Sequence, residues 1–168
     1  MYVVHRSGGA SDVVEVPTAL VPQLRGPLPP SGFITNGMGP EKLGRGRLGA
    51  IVGRAIAWLI PESIAGWDLV VASAWHDHAY DVGGDWPDRR TADLDLAQNV
   101  VTIARWADRE AGRDSGWRDA GAFLLAAVVA SSLRAFGAGA FRWKNGSRPR
   151  GLVAAAKERS GVFRRPRR

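Results

Sequence analysis

Two successive glycines, Gly83-Gly84, separate two stretches whose apolar residues recur at helical spacing, and this break constrains the fold more than any other feature. Before it, Leu69, Ala72, Ser73, His76 and Tyr80 share one face; after it, Asp93, Leu96, Ala97, Val100, Ile103 and Ala107 share another. Glycine closes a helix readily, and a short link returns the chain in the opposite direction. Both stripes need cover from water, so the two helices are expected to pack antiparallel, stripe against stripe. That packing carries an imidazole, His76, and a remote carboxylate, Asp93, into one interior.

A buried carboxylate without a partner is costly, and a buried imidazole N–H must be satisfied. The simplest solution is a hydrogen bond between His76 and Asp93, with the Tyr80 hydroxyl donating to the same carboxylate. Such a bond sets the imidazole tautomer and leaves the other ring nitrogen able to take a proton from water. The same cluster would equally hold two helices in register with no chemistry attached. Asp77 lies about 100° further round the helix, on the side of Val70, Ser73 and Asp81. A carboxylate beside a histidine base is well placed for a hard cation, and calcium takes ~6–8 oxygen ligands, many of them backbone carbonyls. The glycine-rich "TNGMGPEKLGRG", with Gly37 and Gly39, offers such backbone.

The remaining patterning predicts a mainly α, small helical domain. Helices are expected from near Leu48 to Pro61, from Ala65 or Trp67 to Tyr80, from Asp88–Thr91 to about Glu110, and from near Ser115 to about Phe136. "LVAAAKERS" suits a short final helix. Residues 1–31 read as an extended, proline-rich arm, with "VVHR" and "DVVEV" as short β-branched runs and five prolines from Pro17 to Pro30. Residues 32–143 then form the helical domain and residues 144–168 a basic tail. His78, on the opposite face of its helix, and the pair Arg89 and Arg90 read as surface groups. Most of the seven tryptophans read as core, with Trp75 and Trp86 flanking the histidine motif.

Composition narrows the function classes. The 168 residues contain no cysteine, which excludes disulfides and thiolate metal sites. The longest apolar run, Ala120–Leu133, is shorter than the ~20 residues that span a bilayer, and the amino terminus lacks the apolar segment of a secretory signal. The formal charge of +7 is concentrated late: ten of the 23 basic residues but one of the 16 acidic ones fall at or after Arg142. An arginine-rich tail suits an anionic partner such as nucleic acid, lipid headgroups or an acidic protein face. It also suits a solvated terminus. Three histidines are too few for the histidine-rich metal sites of His-Asp phosphohydrolases.

Two resemblances follow from these residues. Gly32-Phe33-Ile34-Thr35-Asn36-Gly37, Trp58–Pro61, His76-Asp77-His78-Ala79-Tyr80, Arg90-Thr91-Ala92-Asp93 and the closing "LRAFGAGAFRW" together resemble a family of small phage and prophage proteins of unknown function. That family carries Asp where this chain has Asn36, and Ser where it has Gly39. More distantly, H-D-x-x-Y on one helix with a later Asp on an antiparallel helix is similar to phospholipase A2, including cysteine-free versions in viral capsids. The cysteines of that family's motif would fall at Ala72, Ser73 and Ala79, all small here. The resemblance implies His76 as the general base, Asp93 and Tyr80 orienting it, and Asp77 binding calcium with backbone of the Gly37 and Gly39 loop. In phospholipase A2, however, the calcium loop lies shortly before the histidine helix, whereas here a further expected helix intervenes.

The expected function is therefore a phage-encoded, phospholipase A2-like ester hydrolase acting at membrane phospholipid, in the virion or the host cytoplasm. The alternative is a non-catalytic virion or assembly protein. Its basic tail would contact DNA or other phage structural proteins.

Overall fold

The structure, a computed structural model, describes residues 2–6, 13–35, 63–113, 115–136 and 141–144. Among them the chain is mainly helical, with a three-stranded sheet and a separate two-stranded hairpin: β1 (Tyr2–Arg6), β2 (Val13–Val16), β3 (Phe33–Thr35), β4 (Ser63–Ile64) and β5 (Trp67–Asp68) precede α1 (Val70–Val82), α2 (Trp86–Glu110) and α3 (Gly116–Phe136). The helix expected from Leu48, the short final helix and nearly all of the basic tail lie outside the described residues.

The helical hairpin forms as the glycine pair requires. Gly83 adopts a φ of 66°, in the left-handed region, and its amide closes α1 on the Ala79 carbonyl. Asp85 then opens α2 with a reciprocal capping box: its side chain accepts from the Asp88 amide, and the Asp88 carboxylate accepts from the Asp85 amide. At the other end of the hairpin, Trp67, just before α1, donates to Asp108, near the end of α2. The two helices are thus antiparallel. α3 returns antiparallel to α2, with Arg118 on Asp108 at one end and Arg89 on the Leu133 carbonyl at the other.

Helix α1 starts later than its apolar pattern suggests. Ala65 and Gly66, with φ of 55° and 85°, make a tight turn that pairs β4 with β5. Both central residues at positive φ are what a two-residue hairpin turn demands. Trp67 is therefore in a strand, and the Asp68 carboxylate accepts from the Val70 amide at the helix start.

The proline-rich stretch is extended but not detached. β1 pairs antiparallel with β2 and parallel with β3, in the order β2-β1-β3. Val4, Val16 and Leu20 sit in the same apolar cluster as Leu69, Val70, Trp75, Leu96, Val100, Ile103 and Val129, so packing crosses residue 31 without a boundary. The buried Asn99 amide anchors the stretch to α2, accepting from the Arg25 amide at 2.7 Å and donating to the Arg25 carbonyl at 3.0 Å. Not every tryptophan is core: Trp117 is 73% exposed and Trp86 is 49% exposed.

A short carboxy-terminal segment completes the site. Arg142 donates its amide to the Tyr80 carbonyl, and the Gly84 amide and carbonyl pair with Arg142 and Lys144. A Cβ at Gly83 would overlap the Arg142 carbonyl. This close approach seats Phe141 against Tyr80 and Trp143, forming a second small apolar cluster.

Candidate functional site

His76, Tyr80 and Asp93 meet between α1 and α2. The His76 Nε2 lies 3.4 Å from Asp93 Oδ1, longer than the ~2.9–3.0 Å usual for N–H···O, while the Tyr80 hydroxyl donates to the same oxygen at 2.5 Å. All three side chains are buried, His76 with 6% exposure. The imidazole and phenol rings also pack together, with centroids 4.0 Å apart. The i, i+4 spacing of His76 and Tyr80 puts both on one face of α1, and Asp93 answers from the inward face of α2.

The other ring nitrogen looks toward a second carboxylate. Nδ1 lies 3.7 Å from Asp77 Oδ1, beyond hydrogen-bonding reach but well within electrostatic range. Asp77 Oδ2 accepts a 2.6 Å hydrogen bond from the buried Thr35 hydroxyl at the end of β3. The Asp77 side chain is 29% exposed, against 2% for Asp93. The Thr35–Asp77 contact is not legible in the sequence, because the partners are forty-two positions apart and the parallel β1–β3 pairing that places Thr35 is non-local.

These surroundings set the protonation chemistry. Burial alone would lower the His76 pKa, but the two neighbouring carboxylates, Asp77 and Asp93, outweigh it, and the net shift is upward. Burial, reinforced by the Asp93 carboxylate, raises the Tyr80 pKa far enough that the phenol stays protonated as a donor. A neutral imidazole has one N–H. With that proton on Nε2, directed at Asp93, Nδ1 presents a lone pair and can accept a proton from a water molecule on the Asp77 side.

Arg89 corrects the reading of the arginine pair as surface charge. It is only 2% exposed; its Nη2 donates to the Leu133 carbonyl at 2.6 Å and lies 3.9 Å from Asp93 Oδ2. The signal was available: Arg89 precedes Asp93 by one helical turn, so an inward Asp93 implies an inward Arg89. Arg90 is exposed, as expected. His78 is half-buried rather than solvated, its ring edge-on to Phe33 at 5.4 Å. Trp75 is buried in the core against Tyr2, whereas Trp86 stands at the surface beside Arg89.

For calcium, Asp77 alone of the expected ligands is described; Gly37 and Gly39 lie outside the described residues. Among the described residues no three His, Asp or Glu side chains cluster as metal ligands. Thr35, on which Asp77 is anchored, is the residue from which the glycine-rich stretch departs.

No described helix is long and apolar enough to cross a membrane. No protein-family model, curated protein or solved structure matches this chain.

Proposed function

We propose that the chain is an ester hydrolase of the phospholipase A2 type, belonging with the phage and prophage proteins it resembles and acting on membrane phospholipid. One observation carries the reading: Asp93 takes up Nε2 of His76 and the hydroxyl of Tyr80 on a single oxygen, so the free nitrogen, Nδ1, faces the more exposed Asp77 side. In this mechanism His76 removes a proton from water through Nδ1 as the water attacks the ester carbonyl, and the imidazolium then returns that proton to the alcohol oxygen as the ester C–O bond breaks, leaving the free fatty acid. Asp93 stabilises the imidazolium that forms, and Tyr80 keeps the carboxylate aimed at the ring. Arg89 holds the far side of Asp93 in place. Calcium, held by Asp77 with backbone of the Gly37–Gly39 stretch, would polarise the carbonyl and stabilise its oxyanion. The basic tail suits anionic headgroups.

The burial of His76 favours a second reading, in which the cluster only sets helix register in a non-catalytic virion component. Asp77→Asn separates the two. Its carboxylate is partly exposed, so the variant should fold. Fatty-acid release from mixed phospholipid vesicles should be present in wild type with calcium, lost with chelator, and fall at least ~100-fold in Asp77→Asn, as loss of electrostatic stabilisation commonly does. Wild-type protein that releases no fatty acid under any of these conditions leaves only the structural reading.

A further inference from the structure

A cleft of about 310 Å³ opens beside the histidine cluster, on the far side of Asp93, lined by Trp86, Arg89, Arg90, Asp93 and Arg134. We propose that this cleft binds a phosphate-type oxyanion, and that it does so whether or not the chain is a hydrolase.

The argument begins with charge. Three guanidinium groups face one carboxylate, and that carboxylate is already engaged by Tyr80, His76 and Arg89. Among the described residues, Arg90 and Arg134 have no carboxylate partner, and both are exposed. The carboxy-terminal carbonyls of α3 add partial negative charge, about half an elementary charge for a whole helix end. Arg89 is itself donating to two of them, Leu133 at 2.6 Å and Arg134 at 3.3 Å. The balance of the cleft is positive by more than one full charge.

Pre-organisation is the second element. Arg89 is 2% exposed and held at the cleft wall by those carbonyls and by Trp86, whose ring centre is 5.2 Å from the guanidinium carbon. Its Nε is buried and has no hydrogen-bond partner among the described residues, which is rare for a buried donor and expected of a group awaiting an acceptor. A planar guanidinium fixed this way matches the oxygens of a phosphate better than a lysine could. A concave, partly desolvated setting concentrates the field of all three charges. The volume lies at the lower end of the ~300–1,000 Å³ typical of small-molecule sites. Trp86, half exposed beside Trp143, adds a flat wall against which an apolar or planar part of the ligand would rest.

A lipid headgroup and a free phosphate share this chemistry, and the test has an arm for each. The full chain, labelled with nitrogen-15, is titrated with inorganic phosphate at constant ionic strength while the Arg89 Nε–H and Trp86 indole resonances are followed. Saturable shifts of both are expected, and the double variant Arg90→Gln/Arg134→Gln should weaken binding by at least about tenfold, or roughly 1.4 kcal/mol. Both substituted side chains are exposed, so the variant should keep the wild-type spectrum elsewhere. In the second arm, phosphatidylglycerol vesicles are sedimented with wild type and variant, the tail being common to both. Binding lost in the variant and displaced by phosphate identifies the headgroup as the source. Vesicle binding unchanged while phosphate binding falls identifies a free phosphate, and either result upholds the cleft. Absence of saturable shifts, or identical titrations for wild type and variant, overturns it. Because neither arm measures ester hydrolysis, failure of the cleft and failure of the catalytic reading are separate results.

Discussion

Replacing Tyr80 by Phe removes a single hydroxyl from the polar cluster and leaves the ring that packs on Phe141 and His76. No cavity of consequence forms, so the change isolates one hydrogen bond. That bond is 2.5 Å long, buried, and directed at a carboxylate. Hydrogen bonds to charged groups contribute ~1.5–3 kcal/mol, against ~0.5–1.5 for neutral ones. The remaining neighbours of Asp93 compensate poorly: His76 Nε2 is at 3.4 Å and Arg89 Nη2 at 3.9 Å. Phenylalanine regains something by sparing the hydroxyl its desolvation, which places the net loss near ~2 kcal/mol. For a chain of this length that corresponds to a fall of about 4–8 °C in Tm. Urea unfolding followed by tryptophan fluorescence measures it, with an unchanged m-value showing that the native and unfolded states are otherwise the same. In an Asp93→Asn background the same substitution should cost about 1 kcal/mol less, because the bond is then neutral. A Tyr80→Phe variant within ~0.5 kcal/mol of wild type would refute the argument, since that is the range of an ordinary surface substitution.

Other consequences follow from the same structure. The raised His76 pKa means that hydrolysis by the neutral base should rise with pH to a midpoint above the ordinary ~6.5, and Asp77→Asn should move whatever activity remains to a lower midpoint; a pH–rate profile checks both. For stability the sign is the reverse: the imidazolium between two carboxylates stabilises the fold fully below pH ~6.5 and that contribution fades as pH climbs through the raised native value. The stability difference between wild type and His76→Gln should therefore shrink from pH 6 to pH 9, as denaturant titrations at each pH would show. Asp108 runs the other way: hydrogen bonding from Arg118, then from Trp67, holds its pKa below the usual carboxylate range. Its stabilisation is present above pH ~3.9 and lost as pH falls through the depressed value, so Asp108→Asn should flatten the acid limb of the stability curve. Gly83→Ala should cost ~1–2 kcal/mol for the left-handed φ alone, and more as the new Cβ displaces the Arg142 carbonyl. Hydrogen exchange at the Arg142 and Lys144 amides should accelerate with it.

What could be read from the sequence was whatever short-range periodicity determines. The glycine break and i, i+4 spacing were enough to predict that His76, Tyr80 and Asp93 converge, because a helix fixes which residues share a face and a short link fixes antiparallel return. The ends of α2 and α3 fell within a few residues for the same reason. The small sheet was less legible: β1 pairs with β3 across nearly thirty residues, and isolated β-branched runs do not say what they pair with. Helix α1 starts after the point its apolar pattern suggests because that pattern continues through Trp67, while the Ala65-Gly66 turn uses a local backbone preference that periodicity ignores. Taken alone, Arg89 reads as a surface charge, but its position one turn before Asp93 places it inside. Thr35 and Phe141 reach the cluster only through tertiary structure.

The central claim is that His76, oriented by Asp93, acts as a base toward water. Fatty-acid release from phospholipid vesicles at pH 8, compared between wild type and His76→Gln proteins of matching circular dichroism, tests it most directly. The account predicts steady release by wild type and a loss of at least ~100-fold in the variant, the lower range for a general base. Equal rates in the two proteins, or no release by either, would contradict it.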